Sequence, residues 1–309
     1  VGICAYNEES NIGNLLENLT QQPFSFPYEL CEIIVVSSGS IDRTDEIVHK
    51  MAAIDPRIKL ISEKERNGKS QALNRFLRVA KGDVFLVISA DTFPTTGSLS
   101  KLVDAMKPNV GGACARTTPL NDEKNVVGFA NRFLWKLHNR VLWEETKDGT
   151  INHLGGDMWA IKRGLVNKIP KDIINDDAYI GITLKKKGWK IVHVPEAKVF
   201  MMAPKTVPEY IHQRKRILVG HRQLEKITRV YPKTIGAMAW RKPLFLLKFL
   251  IHETKELKIR DYPKVLVGLS LEILARILAS MDFGGTKKYR NWTQIRTTKT
   301  LDAISNLKE

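Results

Sequence analysis

Cysteine is scarce in this chain: Cys4, Cys31 and Cys114 are the only three in 309 residues, widely spaced and odd in number. That argues against a disulfide framework and fits no zinc or redox spacing, so a reducing, cytoplasmic setting is expected. Acidic residues are also in deficit, 33 Asp and Glu against 49 Lys and Arg, which leaves a formal charge of +16. No uncharged apolar run reaches the roughly eighteen residues of a membrane-spanning helix. No secretory pattern occupies the first thirty residues. Val1 falls inside a strand-like run, so a few residues of the natural start are expected to precede it. Paired Cys/His ligands and RNP-like aromatic runs are missing as well. The positive charge therefore points to an anionic membrane surface or a phosphate-bearing substrate before nucleic acid.

What is present, 43% hydrophobic and 27% charged residues, is an ordinary globular composition. The first 110 residues alternate strand and helix patterns. Strand-like runs cover Val1 to Ala5, Glu32 to Val36, Ile58 to Ile61 and Val84 to Ile88. Helical patterns lie between them: one capped by Ser10 or Asn11 and running to Leu19, then Asp42 to Met51 and Gly68 to Ala80. This order predicts an α/β fold with a parallel sheet. Ligands bind at the carboxyl edge of such sheets, so Asn7-Glu8, Ser37 to Asp42 and Ser89-Ala90-Asp91 should gather on one rim.

Residues 110 to 235 are mixed in pattern. Trp189 to Val194 and Ala197 to Met201 read as strands separated by a turn at Pro195, and Val207 to Arg229 reads as a basic helix. Beyond about residue 236 the character changes, to two apolar stretches, Pro243 to Ile251 and Val265 to Met281. In the second, Gly268, Glu272 and Arg276 recur every four residues as one narrow polar stripe. Two placements suit it equally: burial in the core or at a contact between copies, and binding in the plane of a membrane, since basic residues flank it.

Single residues carry weak signals. An aspartate after a strand, such as Asp91, can hold a hard cation that bridges a diphosphate, although such a residue more often caps a turn. Asp176-Asp177 open a helical stretch, where acids commonly complement the helix dipole. Lys69 follows Gly68 at a helix start, a place that favours anions. It is no P-loop lysine, because Glu63 stands where that motif needs glycine. Gln213 and Arg216, one turn apart, can meet a phosphate or face water.

Order and spacing say more. Ala5-Tyr6-Asn7-Glu8-Glu9, Ser37 to Thr44, Asn67 to Asn74, Ser89-Ala90-Asp91, Gly155 to Met158, Asn175-Asp176-Asp177 and Gln213 to Ile217 resemble, in sequence, the motifs of a family 2 glycosyltransferase with the GT-A fold. The resemblance spans roughly residues 1 to 225 and is similar to the cellulose and hyaluronan synthase branch. It implies a catalytic domain over 1–235 followed by a helical, membrane-interfacial region and basic tail over 236–309. It implies an inverting transfer from a nucleotide-diphosphate sugar, with Mg²⁺ or Mn²⁺ on Asp91, Asp177 as base and Arg216 beside the leaving group. Ala5, Asn7, Glu8, Ser38, Asp42, Lys69, Ser89 and Gln213 are expected on the donor side, and Gly156, Asp157 and Asp176 on the acceptor side.

Departures from the pattern also carry expectations. Ser37 and Ser38 replace an acidic pair, one of which usually contacts a uracil ring in relatives, and Ser89 replaces the first Asp of Asp-x-Asp. Ile217 replaces the acceptor-side Trp of processive members, which argues against long-chain synthesis. Trp292 to Lys299 faintly resembles a gating loop ending in Thr-x-Lys. A catalytic base suits a glycan or lipid-linked saccharide better than an already anionic polyprenyl phosphate. A nucleotidyltransferase would carry a glycine-rich, Arg-containing first loop, which Ala5 to Asn11 lacks; a non-catalytic nucleotide-sugar binder is the other alternative. Peripheral attachment to the cytoplasmic face of a membrane through 243–281 is expected, and a homo-oligomer is compatible.

Overall fold

The computed structural model describes residues 1–236, 238, 242–255, 257–282, 289 and 294–299. The β-branched runs form strands β1 (Gly2–Ala5), β2 (Ile33–Ser38), β3 (Ile58–Glu63) and β4 (Val84–Ser89), all mutually parallel; β1, β2 and β4 are largely buried, and β3 is the half-exposed edge of the sheet. Helices α1 (Ile12–Thr20), α2 (Thr44–Ile54) and α3 (Lys69–Val79) connect them. In α1, Ile12, Leu15, Leu16 and Leu19 share one face and are at most 1% exposed. Truncating any of these leucines to alanine would cost about 2–5 kcal/mol.

The second half is built from β5 (Thr92–Pro94), α4 (Ser98–Asp104), β6 (Val110–Pro119), α5 (Val126–Lys147), β7 (Met158–Lys162), α6 (Asp176–Lys186) and β8 (Lys190–Met201). The eight strands make one sheet in the order β3-β2-β1-β4-β7-β6-β8-β5. β7 runs antiparallel to β4 and β6, and β5 antiparallel to β8, while β6 and β8 are parallel. Because β7 is reversed, its start lies on the rim where β4 ends. The Ser89 N–H donates to the Asp157 carbonyl at 2.9 Å there. This inversion brings Gly155-Gly156-Asp157 to the carboxyl edge of the parallel strands.

One sequence expectation needs correction. Pro195 makes no turn between two strands. β8 is continuous, and residues 195–197 form an irregularity in it, since Val194 pairs Ala115 and Lys198 pairs Arg116. A bulge accommodates a proline without ending the strand. The polar stripe of the second apolar stretch points inward. That stretch is α9 (Tyr262–Ser280), following α7 (Val207–Thr228) and α8 (Pro243–Lys255), and it packs on α5 and α7. Gly268 meets Ala130, and Glu272 accepts both a two-point bond from Arg214 (2.6 and 3.0 Å) and the Tyr210 hydroxyl (2.7 Å). Leu266, Val267, Leu269, Ile273, Leu274 and Ile277 of the same helix are exposed, as are Leu244, Leu247 and Ile251 of α8. Among the described residues, no helix is long and apolar enough to cross a membrane.

Candidate active site

The loops after β1 and β2 are stitched together by side chains. Asn7, at φ 51°, accepts the Ile41 N–H at 2.9 Å. Asp42 accepts the Thr44 N–H and hydroxyl at 3.0 and 2.6 Å and the Glu9 N–H at 3.1 Å. Gly39, at φ 72°, lets this turn approach the next loop: a Cβ there would sit 2.7 Å from the Arg66 nitrogen. Asn7 and Asp42, expected among the donor-side residues, are not on the wall of the cavity that the rim encloses. They hold the rim.

The cavity has a volume of about 320 Å³ and collects the other expected residues: Ala5, Glu8, Ser38, Lys69, Ser89, Asp91, Gly156, Asp157, Asp176, Asp177, Gln213 and Arg216. They come from the ends of β1, β2 and β4, the starts of α3, α6 and β7, and one face of α7. Gly68, at φ 83°, starts α3 and turns Lys69 into the cavity. The Lys69 ammonium lies 3.4 Å from Asp176 Oδ2. Asn175 does not cap α6 with its side chain; its amide donates to the Ile217 carbonyl at 2.9 Å, tying α6 to α7 near Arg216.

The acids at the start of α6 do not behave as ordinary first-turn residues. Burial, followed by the Asp176 charge, pushes Asp177 up to about 7, against the pull of Lys69. Asp157 rises to about 6 through burial and then Asp91. Glu8 rises to about 7 for the same two reasons, opposed by Lys299. Lys69 is opposed by burial but held above its ordinary value by Asp176 and Asp177. Burial weakens the hold of Arg216 on its proton, while the same two aspartates strengthen it. Asp177 is thus a carboxyl poised near neutrality, as a general base should be.

Of the stretch expected to form a gating loop, Gln294 to Lys299 is described and Trp292 lies outside the described residues, as do Lys287, Lys288 and Arg290. Gln294 donates to the Tyr6 carbonyl, Thr297 to Glu209 at 2.6 Å, and Lys299 to Glu8 and, at 3.2 Å, to Asp91. The segment therefore lies across the cavity with an ammonium on the expected metal ligand. Among the described residues, no three His, Cys, Asp or Glu side chains make a closed metal cage. A Mg²⁺- or Mn²⁺-type ion bound to a diphosphate and water needs only one or two carboxylates from the protein. Asp91, with Glu8 and Asp157 close enough to feel its charge, meets that need, and the position already draws a cation.

Several cavity features had no sequence signal. Ser38 donates to Glu63 Oε2 at 2.9 Å, so a carboxylate from β3 stands behind the serine that replaced an acid. The Arg66 guanidinium stacks 3.9 Å above the Tyr6 ring centroid. Arg214 turns away from Arg216 to clamp Glu272. Trp135, His138, His153, His221 and Arg276 also line the cavity; they are scattered over four segments and only the fold collects them.

Comparison with known proteins gives this arrangement a lineage. The family model described as glycosyl transferase family 2 matches residues 1–170, more than half of the chain. The chain belongs to glycosyl transferase family 2. It is similar to the poly-beta-1,6-N-acetyl-D-glucosamine synthase of Staphylococcus aureus, 25% identical over 253 residues, covering 80% of this chain and 59% of that protein. It is also similar to a probable glycosyltransferase, YdaM, of Bacillus subtilis, 28% identical over 232 residues, 71% of this chain and 54% of that one. The chain thus spans a little over half the length of these relatives. Among solved structures, a mannosyltransferase from Pyrobaculum calidifontis in complex with GDP-Man and Mn²⁺ superposes with a TM-score of 0.64 at 20% identity, covering 91% of this chain and 86% of that one. That likeness shows the fold, a GT-A type mixed α/β sheet, as expected from the sequence.

Proposed function

We propose that this chain transfers a sugar, with inversion, from a nucleotide-diphosphate sugar to a hydroxyl of a glycan or lipid-linked saccharide. The observation that carries the reading is one cavity wall shared by Asp91, Asp177, Lys69 and Arg216 at the carboxyl edge of the parallel strands. In the proposed reaction Asp177 accepts the proton of the acceptor hydroxyl, whose oxygen forms the new bond to the anomeric carbon. The bond from that carbon to the diphosphate breaks, and the diphosphate keeps the electron pair. Arg216 holds positive charge beside the departing diphosphate. Asp91 is the residue that would hold Mg²⁺ or Mn²⁺, which when bound neutralises the diphosphate. In this reading Tyr6, Arg66 and Ser38 of the cavity wall, with Glu63 bonded to Ser38, would meet the nucleobase.

The poised Asp177 favours a hydroxyl acceptor over a polyprenyl phosphate, which needs no base. The similarity to a poly-N-acetylglucosamine synthase favours hexosamine-containing substrates. The exposed apolar residues of α8 and α9, which water would not favour, support peripheral attachment to an anionic membrane, which our reading puts at its cytoplasmic face.

A thermal-shift screen of UDP- and GDP-sugars with and without Mn²⁺ tests the donor reading. A rise in midpoint for one nucleotide that requires Mn²⁺ is expected. Indifference to all of them would remove it.

A further inference from the structure

Helix α6, which carries Asp177, is reached through residues 163–175, a stretch without helix or strand between β7 and α6. Such backbone has no ladder of its own, so its place depends on what its N–H and C=O groups find. Here they find buried side chains of two helices. From α3, Asn74 donates to the Ile169 carbonyl and accepts the Ile169 N–H, both at 2.8 Å, and Ser70 donates to the Ile173 carbonyl at 2.8 Å. From α7, buried Gln223 uses both ends of its amide. Its Nε2 donates to the Asp172 carbonyl at 2.7 Å, and its Oε1 accepts the Ile174 N–H at 3.0 Å.

The place of Gln223 on α7 gives this clamp a meaning. Gln213, Arg216, Gly220 and Gln223 recur at intervals of three and four, so they form one stripe along the helix. Gln213 and Arg216 are on the cavity wall. At Gly220 the side-chain amide of Asn175 lies directly against the helix, where a Cβ would sit 2.6 Å from it. Asn175 immediately precedes Asp176-Asp177 and donates to the Ile217 carbonyl from there. The face that brings Arg216 to the cavity therefore also grips the chain that leads into Asp177.

We propose that Gln223 and Gly220 are positioning residues that fix Asp177 relative to Arg216, so that the proton acceptor and the charge beside the leaving diphosphate move as one body. The inference rests on the glycosyl-transfer reading and extends it to residues off the reacting atoms. Direct displacement needs both groups in register with one anomeric carbon, and a misplacement of about 1 Å can cost on the order of 100-fold in rate. The groups that face Asp177 come from four elements: Asp176 of its own helix, Lys69 of α3, Asp157 of β7 and Arg216 of α7. A segment clamped to both α3 and α7 keeps that set together.

The test is carboxyl ¹³C NMR of the full chain, with the Asp177 signal assigned by its loss in Asp177→Asn. Gln223→Met keeps the length of the side chain and removes both bonds, and Gly220→Ala pushes Asn175 off α7. Either change loosens the segment and admits water to a carboxyl raised to about 7 chiefly by burial, so its midpoint should fall toward the ordinary carboxylate range. Leu16→Ala, a core truncation in α1, should lower the thermal midpoint and leave the Asp177 titration in place. In transfer from UDP-N-acetylglucosamine to an N-acetylglucosamine trisaccharide, both α7 variants should lose roughly 10- to 100-fold in kcat with the donor KM unchanged. An Asp177 midpoint in Gln223→Met equal to the parent's, or one moved equally by Leu16→Ala, overturns the positioning role. Turnover by Asp177→Asn equal to the parent's overturns the base reading instead, whatever the titration shows.

Discussion

The clamp between α7 and α9 makes a quantitative test of whether the C-terminal helix belongs to the active-site scaffold. Glu272 accepts two bonds from Arg214 and one from Tyr210, and the Arg and Glu side chains are only 16% and 13% exposed. Replacing Glu272 by alanine leaves a guanidinium in a poorly hydrated place without its counter-charge. Removing one partner of such a pair costs about 3–5 kcal/mol, far more than the net value of the intact pair. In a chain of this size that corresponds to a fall in thermal midpoint of about 2 °C per kcal/mol, hence roughly 6–10 °C. The double change Arg214→Met with Glu272→Leu should restore most of it, because neither charge is then stranded. The exposed Arg43–Glu46 pair is the control, and Glu46→Ala should move the midpoint little. The effect also has a pH signature. Burial raises the Glu272 carboxyl, but Arg214 and Tyr210 outweigh it and hold it below 4.5. A depressed carboxyl stabilises above its unfolded value and loses that contribution as pH falls through its folded value. The gap between the wild type and Glu272→Ala should therefore be full at pH 7 and shrink below about pH 4.5. A loss of less than about 1 kcal/mol at pH 7 would refute the account of α9 as clamped to the catalytic helices.

Other predictions follow the same geometry. If Asp177 is the base, kcat/KM should rise with pH through about 7, and Asp176→Asn, by removing the neighbouring charge, should move that limb to lower pH; a limb that stays in place refutes the coupling. Lys299→Ala should strengthen binding of Mn²⁺ alone severalfold, read by calorimetry, since the ammonium now occupies Asp91 and Glu8; unchanged affinity would show that the tail does not compete with the ion. Leu266→Asp with Ile273→Asp should abolish flotation with anionic liposomes, and flotation of the parent should weaken with salt; a parent indifferent to lipid removes the membrane proposal.

The parallel half of the fold was legible because β-branched runs have only one good use, as buried strands, and because α1 and α3 repeat their apolar residues at helical spacing. Residues 110 to 160 were opaque. β6 carries glycines and polar residues, β7 is five residues long, and the 22-residue α5 mixes charges into its apolar face, so no single period dominates. The motif residues around the cavity were legible from their order, yet order does not tell wall from rim, and Asn7 and Asp42 lie off the wall, bonded within the rim loops. The direction of the α9 stripe was equally hidden: Glu272 faces inward because Arg214 and Tyr210 meet it there, a fact of tertiary packing. Glu63 and Trp135 could not be anticipated, because each reaches the site from a segment outside the motifs, Glu63 behind Ser38 and Trp135 on the cavity wall.

The central claim is that Asp177 takes the acceptor proton while the donor is held elsewhere on the wall. Its most direct measurement is Asp177→Asn, which keeps the shape and removes the base. We predict that transfer to an acceptor hydroxyl is lost while the nucleotide-induced, Mn²⁺-dependent thermal shift is kept. Turnover equal to that of the parent chain would contradict the account.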